Sequence, residues 1–302
     1  CIHVPFPGVI GEYFTALTRI AVPIFFMITG YFYYDVEEKN GEIRQIKKIF
    51  KLVFEANALY LLWDSFYAVL SRNMRFFTLT FTIKSFLKFI VFNESPLKGH
   101  LWYLGAILYV LMIVRVFDKL KIGKYLGFAT PFLLMGDLIL GKYSILLLGR
   151  EFPYILVRNF LFVGIPYFCI GRLIRNGFGK RVSKKVLTIL LIAFSVTSLL
   201  ERFVLVNFNA SAIRDHYIST TFLAVSVFLF ALKCHGHNKT LASIGRKYST
   251  WLYILHPIFI ICIDVVTHKV GVYGIYKLVA PVMVYITTLA FLVIADRIKW
   301  RQ

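Results

Sequence analysis

The feature that most constrains this chain is the recurrence of long apolar runs, and the run from Tyr13 to Tyr34 sets their scale. These 22 residues, YFTALTRIAVPIFFMITGYFYY, carry a single charge, Arg19. At about 1.5 Å of rise per residue a helix of that length covers roughly 33 Å, against a bilayer core of about 30 Å. Comparable runs follow near residues 49–70, 101–117, 122–140, 155–171, 186–206, 217–233, 249–268 and 278–297. Residues 1–10 read as the tail of another helix whose beginning is missing. Nine spans and a remnant predict an all-α fold: a polytopic membrane helix bundle of about ten transmembrane helices, the first one truncated. The bundle is expected to be a single domain over residues 1–302. Residues 79–92 are apolar but carry Lys84 and Lys88, and they read as an interfacial or re-entrant helix inside a long loop.

Only 17% of residues are charged while 59% are hydrophobic, and a soluble domain usually has about 25% charged residues. The alternating segments of a membrane β-barrel are missing. A net charge of +20 would suit a nucleic-acid partner, but the basic residues lie between apolar runs and form no dense tail. Topology explains them better. Taking the connections alternately, one set holds 22 Lys and Arg and the other 12, and the richer set is expected on the cytoplasmic side. Both termini are then cytoplasmic, in a multi-pass protein of the plasma membrane. Cys1, Cys169, Cys234 and Cys262 are scattered and lack the CxxC spacing of a disulfide or metal framework. Phosphate-binding loops, HExxH, GxSxG and GxGxxG are also missing, which argues against an ATP-driven pump or a membrane zinc protease.

That topology brings isolated polar residues to one depth. His3, Arg19, Asp64, His100, Asp137, Glu201, Arg202 and Asp264 fall towards the outer ends of their spans. Such groups are costly against lipid and suit an outward-facing cavity. Arg19 either lines that cavity or snorkels to the headgroups. Histidine takes and returns protons near neutrality, so three histidines are candidates for chemistry. His3 is one, with a buried histidine bonded to backbone as its bland alternative. His100, beside Trp102 and Tyr103, is either a site residue or part of an aromatic interfacial belt. His256 precedes Pro257, which removes a backbone donor and can open a polar kink, so it is either a structural residue or a functional one.

Four segments occur in order: IHVPFP, TRIAVPIFFMITGYFYY, HLWYLGAILYVLM and STWLYILHPIFI. Together they resemble acyltransferase family 3, the bacterial ten-helix membrane acyltransferases that modify surface polysaccharides, lipopolysaccharide and peptidoglycan. The R-x-x-V-P-x-F-F-x-x-[ST]-G pattern from Arg19 to Gly30 is the most specific part, and the resemblance covers nearly the whole chain.

The resemblance implies a catalytic role for His3, matching an essential histidine of the family's first helix. It also implies substrate-binding roles for Arg19, His100, Trp102 and His256, which match motif positions. The family's arginine about ten residues before its histidine would lie upstream of Cys1. The implied donor is acetyl-coenzyme A or another acyl-coenzyme A, without a metal, and the implied acceptor is an envelope glycan or glycolipid. His3 would then deprotonate the acceptor hydroxyl or an intermediate carrier, and Arg19 would stabilise oxyanion charge or bind donor phosphates. Arg172, Arg175, Lys180, Arg181, Lys184 and Lys185 either attract the coenzyme's phosphates or simply retain their loop in the cytoplasm. The rival expectation is a small-molecule transporter, such as a serine-uptake domain related to membrane-bound serine racemases. A membrane scaffold without activity is the third.

Overall fold

The computed structural model describes residues 3–72, 75–212, 214–234 and 238–299. Among them the secondary structure is entirely helical. The helices are α1 (Gly8–Thr18), α2 (Ala21–Glu37), α3 (Glu42–Leu70), α4 (Arg75–Thr80), α5 (Ile83–Phe92), α6 (Trp102–Lys119) and α7 (Lys124–Leu140). Then come α8 (Ser144–Leu148), α9 (Ile165–Arg175), α10 (Lys184–Asn207), α11 (Ile218–Lys233), α12 (Lys239–Val270) and α13 (Tyr273–Lys299). A 3₁₀ turn at Gly99–Leu101 leads into α6, another lies at Tyr154–Leu156, and a π turn at Phe160–Gly164 leads into α9.

Five stretches among the described residues are long and apolar enough to cross a bilayer: Gly8–Glu37, Gly99–Lys119, Lys184–Asn207, Lys239–Val270 and Tyr273–Ile298. The other expected spans fall short for visible reasons. α3 is 29 residues long, but its first half carries Glu42, Arg44, Lys47, Lys48, Lys51 and Glu55. α7 and α11 have 17 and 16 residues.

Three expected helices are interrupted. The Tyr13–Tyr34 run breaks at Arg19–Ile20. Pro23 has no N–H to give the carbonyl of Arg19 four residues back, and its ring crowds that carbonyl. The 155–171 run divides because the Asn159 side chain accepts from the N–H groups of Leu161 and Phe162, at 2.9 and 3.1 Å, and so starts a new turn. Residues 79–92 divide at Phe81–Thr82, where the Thr82 hydroxyl caps α5 by accepting from the Ser85 N–H at 3.0 Å. Residues 3–7 do not continue a helix either, since Pro5 and Pro7 remove two donors in three residues.

The chain divides into two compact units, one of residues 20–231 and one of residues 1–19 with 232–302. The larger has its core where α2, α6, α9 and the π turn meet, filled by Phe26, Met27, Tyr33, Val110, Tyr167 and Phe168. α2 and α9 approach closely because glycines face backbone. A Cβ on Gly30 would stand 2.0 Å from the Phe168 carbonyl oxygen, and one on Gly171 would stand 2.2 Å from that of Met27. In the smaller unit α12 and α13 pack together, with Phe259 against Phe291 at 5.3 Å. Lys247 and Tyr248 reach Asp296 at 2.5 and 3.1 Å.

Candidate functional site

In the smaller unit the structure brings together two of the expected residues. His3 is exposed on the short segment before α1, and His256 lies half-buried within α12. Their rings are 5.2 Å apart between centroids and tilted by 38°. Tyr253, one turn earlier on α12, stands 6.3 Å from the His256 ring. The Nδ1–H of His256 donates to the carbonyls of Leu252 at 3.1 Å and Tyr253 at 2.9 Å. Arg19 closes α1 at the break created by Pro23.

His100 and Trp102 belong to the larger unit, at the entry to α6. The aromatic-belt alternative does not describe them: they are 7% and 4% exposed. His100 meets the edge of Tyr60 at 5.1 Å. Lys98 pairs with the buried Asp64 at 2.9 Å and lies over the Tyr60 ring. Arg158 sets its guanidinium 5.0 Å above Trp102. Asn93 fastens this entry from inside, giving its Nδ2–H to the Trp102 carbonyl at 2.9 Å and accepting from the Phe160 N–H at 3.1 Å. Ser95 donates to Asn57 at 2.7 Å. The segment joining α5 to α6 is therefore held by buried polar pairs, which in a low-dielectric interior fix geometry strongly.

Two clusters in the same unit went further than the sequence reading. Asp137 and His216 form a buried pair, 2.7 Å from Oδ2 to Nδ1, with the edge of Tyr167 5.8 Å from the imidazole. Glu201 accepts from the backbone N–H groups of Ile218 and Ser219 at 2.9 and 3.0 Å, and from the hydroxyls of Tyr143 and Ser219. The signal was half present: lone acids inside apolar runs require partners. The partners come from elsewhere: His216 from the segment before α11, Ile218 and Ser219 from the first turn of α11, and Tyr143 from the link between α7 and α8.

The basic cluster is partly neutralised. Arg172 holds both oxygens of Asp118, at 3.0 and 2.8 Å, with Glu37 at 3.7 Å, and Arg175 pairs with Asp35. Beside it a cavity of about 660 Å³ is lined by Lys121, Lys124, Thr130, Cys169 and Arg172, among others.

Five helical stretches long and apolar enough to cross a bilayer point to a polytopic membrane protein, with the histidine pair in its smaller unit and the buried polar clusters in its larger one. The sequence model of the acyltransferase domain matches residues 1–296, and the chain belongs to that family, acyltransferase family 3. Two relatives carry other names. An amino-acid racemase of Enterococcus faecalis is 26% identical over 272 residues, which are 84% of this chain and 37% of that protein. A serine/alanine racemase of Enterococcus gallinarum is 25% identical over 303 residues, 96% of this chain and 42% of that protein. The chain thus spans about two-fifths of the length of these curated relatives. No solved structure matches it significantly.

Proposed function

We propose that the chain is an integral membrane O-acyltransferase. It moves an acyl group, acetyl in the first instance, from cytoplasmic acyl-coenzyme A to a hydroxyl of a cell-surface polysaccharide or other envelope glycan. The observation that carries this reading is the family match over residues 1–296. The ten-span arrangement with both termini inside belongs to the same proposal, since the donor is cytoplasmic and the acceptor external.

In this reading His3 takes the proton of the acceptor hydroxyl as the oxygen attacks the thioester carbonyl. The new C–O bond forms, the C–S bond breaks, and His3 returns the proton to the departing sulfur. Arg19 steadies negative charge on the carbonyl oxygen or on the donor's phosphates. His100, Trp102 and His256 shape the binding surfaces. The segment carrying His3 has two prolines, Pro5 and Pro7, which limit its freedom and so lower the entropy lost in holding the base in place.

A second reading has an observation of its own. Both relatives are named as racemases of amino acids, serine and alanine in one case, so this domain would instead handle a small amino acid, as a transporter of serine would. One experiment separates the two. The purified chain in lipid nanodiscs receives acetyl-coenzyme A and a crude envelope-glycan fraction, and free coenzyme A is measured. Acyl transfer predicts acceptor-dependent release, reduced about 10²–10⁴-fold in His3→Gln, which keeps polarity and removes the base. If the protein binds no coenzyme A, and reconstituted vesicles accumulate labelled serine equally well with His3→Gln, the acyltransferase reading is wrong.

A further inference from the structure

His256 and Pro257 lie in the interior of α12, and the proline accounts for the histidine's orientation. Pro257 has no N–H, so the carbonyl of Tyr253, four residues back, loses its helical donor. His256 supplies a replacement, with Nδ1 2.9 Å from that oxygen and 3.1 Å from the oxygen of Leu252. Carbonyl oxygens only accept. Nδ1 therefore carries the hydrogen, and the neutral ring keeps its lone pair on Nε2. The His3 ring stands alongside, 5.2 Å away between centroids, a spacing that fits one N–H···N hydrogen bond where a nitrogen of each ring faces the other.

We propose that His256 is a positioning residue for His3. Its tautomer is fixed by the carbonyl that Pro257 releases, and its Nε2 accepts a hydrogen bond from the His3 ring. This rests on the reading of His3 as the base. The His3 nitrogen that faces His256 is then the protonated one, so the other is left with the lone pair that takes the acceptor's proton. The order in one ring sets the order in the next. His256 itself gains and loses nothing: the proton passes from hydroxyl oxygen to His3 and on to the leaving sulfur. Its contribution is to hold one tautomer and one ring orientation, and to stabilise the imidazolium that His3 becomes.

The test is spectroscopic first. The full chain, labelled with ¹⁵N-histidine, is placed in nanodiscs, and the His256 signals are identified by their loss in His256→Gln. The expected spectrum shows a protonated Nδ1 and an unprotonated Nε2, and the Nε2 signal shifts in His3→Gln. Pro257→Ala restores an N–H that competes for the Tyr253 carbonyl. It should give mixed tautomers and lower kcat for acceptor-dependent coenzyme A release by roughly tenfold, with KM for acetyl-coenzyme A within about twofold. A wild-type spectrum with the proton on Nε2, or an Nε2 signal indifferent to His3→Gln, overturns the proposal at any level of activity. If both signatures appear and yet no acceptor releases coenzyme A, the histidine pair stands and the acyltransferase reading fails.

Discussion

Gly30 ends the most specific motif in the chain, and its replacement by alanine should separate α2 from α9. The added Cβ would lie 2.0 Å from the Phe168 carbonyl oxygen, 2.8 Å from its carbon and 3.1 Å from its Cα. All three are backbone atoms, so no side-chain rotation relieves the overlap. Ordinary contact begins near 3.4 Å, which requires the helices to open by roughly 1.4 Å. A gap of about 0.5–1 Å already forfeits a quarter to a half of a dispersion well. The residues that would lose contact are fully buried: Phe26, Met27, Tyr33, Tyr167 and Phe168. The cost therefore belongs at the top of the usual overpacking range of about 1–3 kcal/mol. Alanine returns about 1 kcal/mol of helix propensity, leaving a net loss of about 2 kcal/mol. Gly127, in α7, has nothing within 4 Å of a built Cβ, so Gly127→Ala should gain up to about 1 kcal/mol. A difference of about 3 kcal/mol corresponds to roughly 6–12 °C in domains of 150–250 residues, and to less in a longer chain. Size-exclusion profiles of fluorescently tagged protein, heated in detergent before loading, measure the two midpoints. Gly30→Ala melting at or above Gly127→Ala would show that the close crossing of α2 and α9 is not what the glycine serves.

The Asp137–His216 pair gives a second test. His216→Leu should destabilise by about 3 kcal/mol, because it leaves a buried carboxyl without its partner, whereas Asp137→Leu with His216→Phe should recover most of that loss. The thermal profile reads both, and equal loss in single and double variants would contradict it. A third prediction concerns orientation. In a cysteine-free background, a cysteine at Ser211 should react with an impermeant thiol reagent added to intact cells and one at Ser183 should not. The reverse pattern would invert the proposed topology.

The sequence makes some layers of this molecule far more legible than others. The helical class and the positions of the apolar runs follow from hydropathy alone, because lipid leaves the backbone few other solutions. The break after Arg19 is legible once Pro23 is counted back four residues to the carbonyl it fails to serve. The divided 155–171 run is not, because it depends on the Asn159 side chain turning back to its own backbone. The segment HLWYL illustrates the harder case. Its composition is that of an interfacial belt, and what covers His100 and Trp102 is Tyr60 and Arg158, from distant parts of the chain, with Asn93 from the segment just before. Asp137 was visible as an acid out of place. His216, 79 residues away, was not, since a pairing across that distance leaves no periodic trace.

α12 places a histidine against the carbonyls beside its proline, whereas elsewhere in this chain threonine hydroxyls reach carbonyls at the same spacing. Thr15, Thr197 and Thr288 donate their hydroxyls to the carbonyl four residues back, at 2.7, 2.8 and 2.7 Å. Thr267, also in α12, reaches both the i−4 and i−3 carbonyls, at 2.8 and 3.1 Å, the same two positions that His256 serves. A hydroxyl would therefore satisfy the carbonyls at 252 and 253 at least as well, without burying an imidazole in an apolar helix. What threonine lacks is a second nitrogen on the far edge of the ring. His256→Thr should accordingly keep the thermal midpoint of the protein within a few degrees while lowering kcat about as far as Pro257→Ala does. A variant that loses its fold with its activity would assign His256 to the helix; one that keeps both would leave His3 without need of a partner.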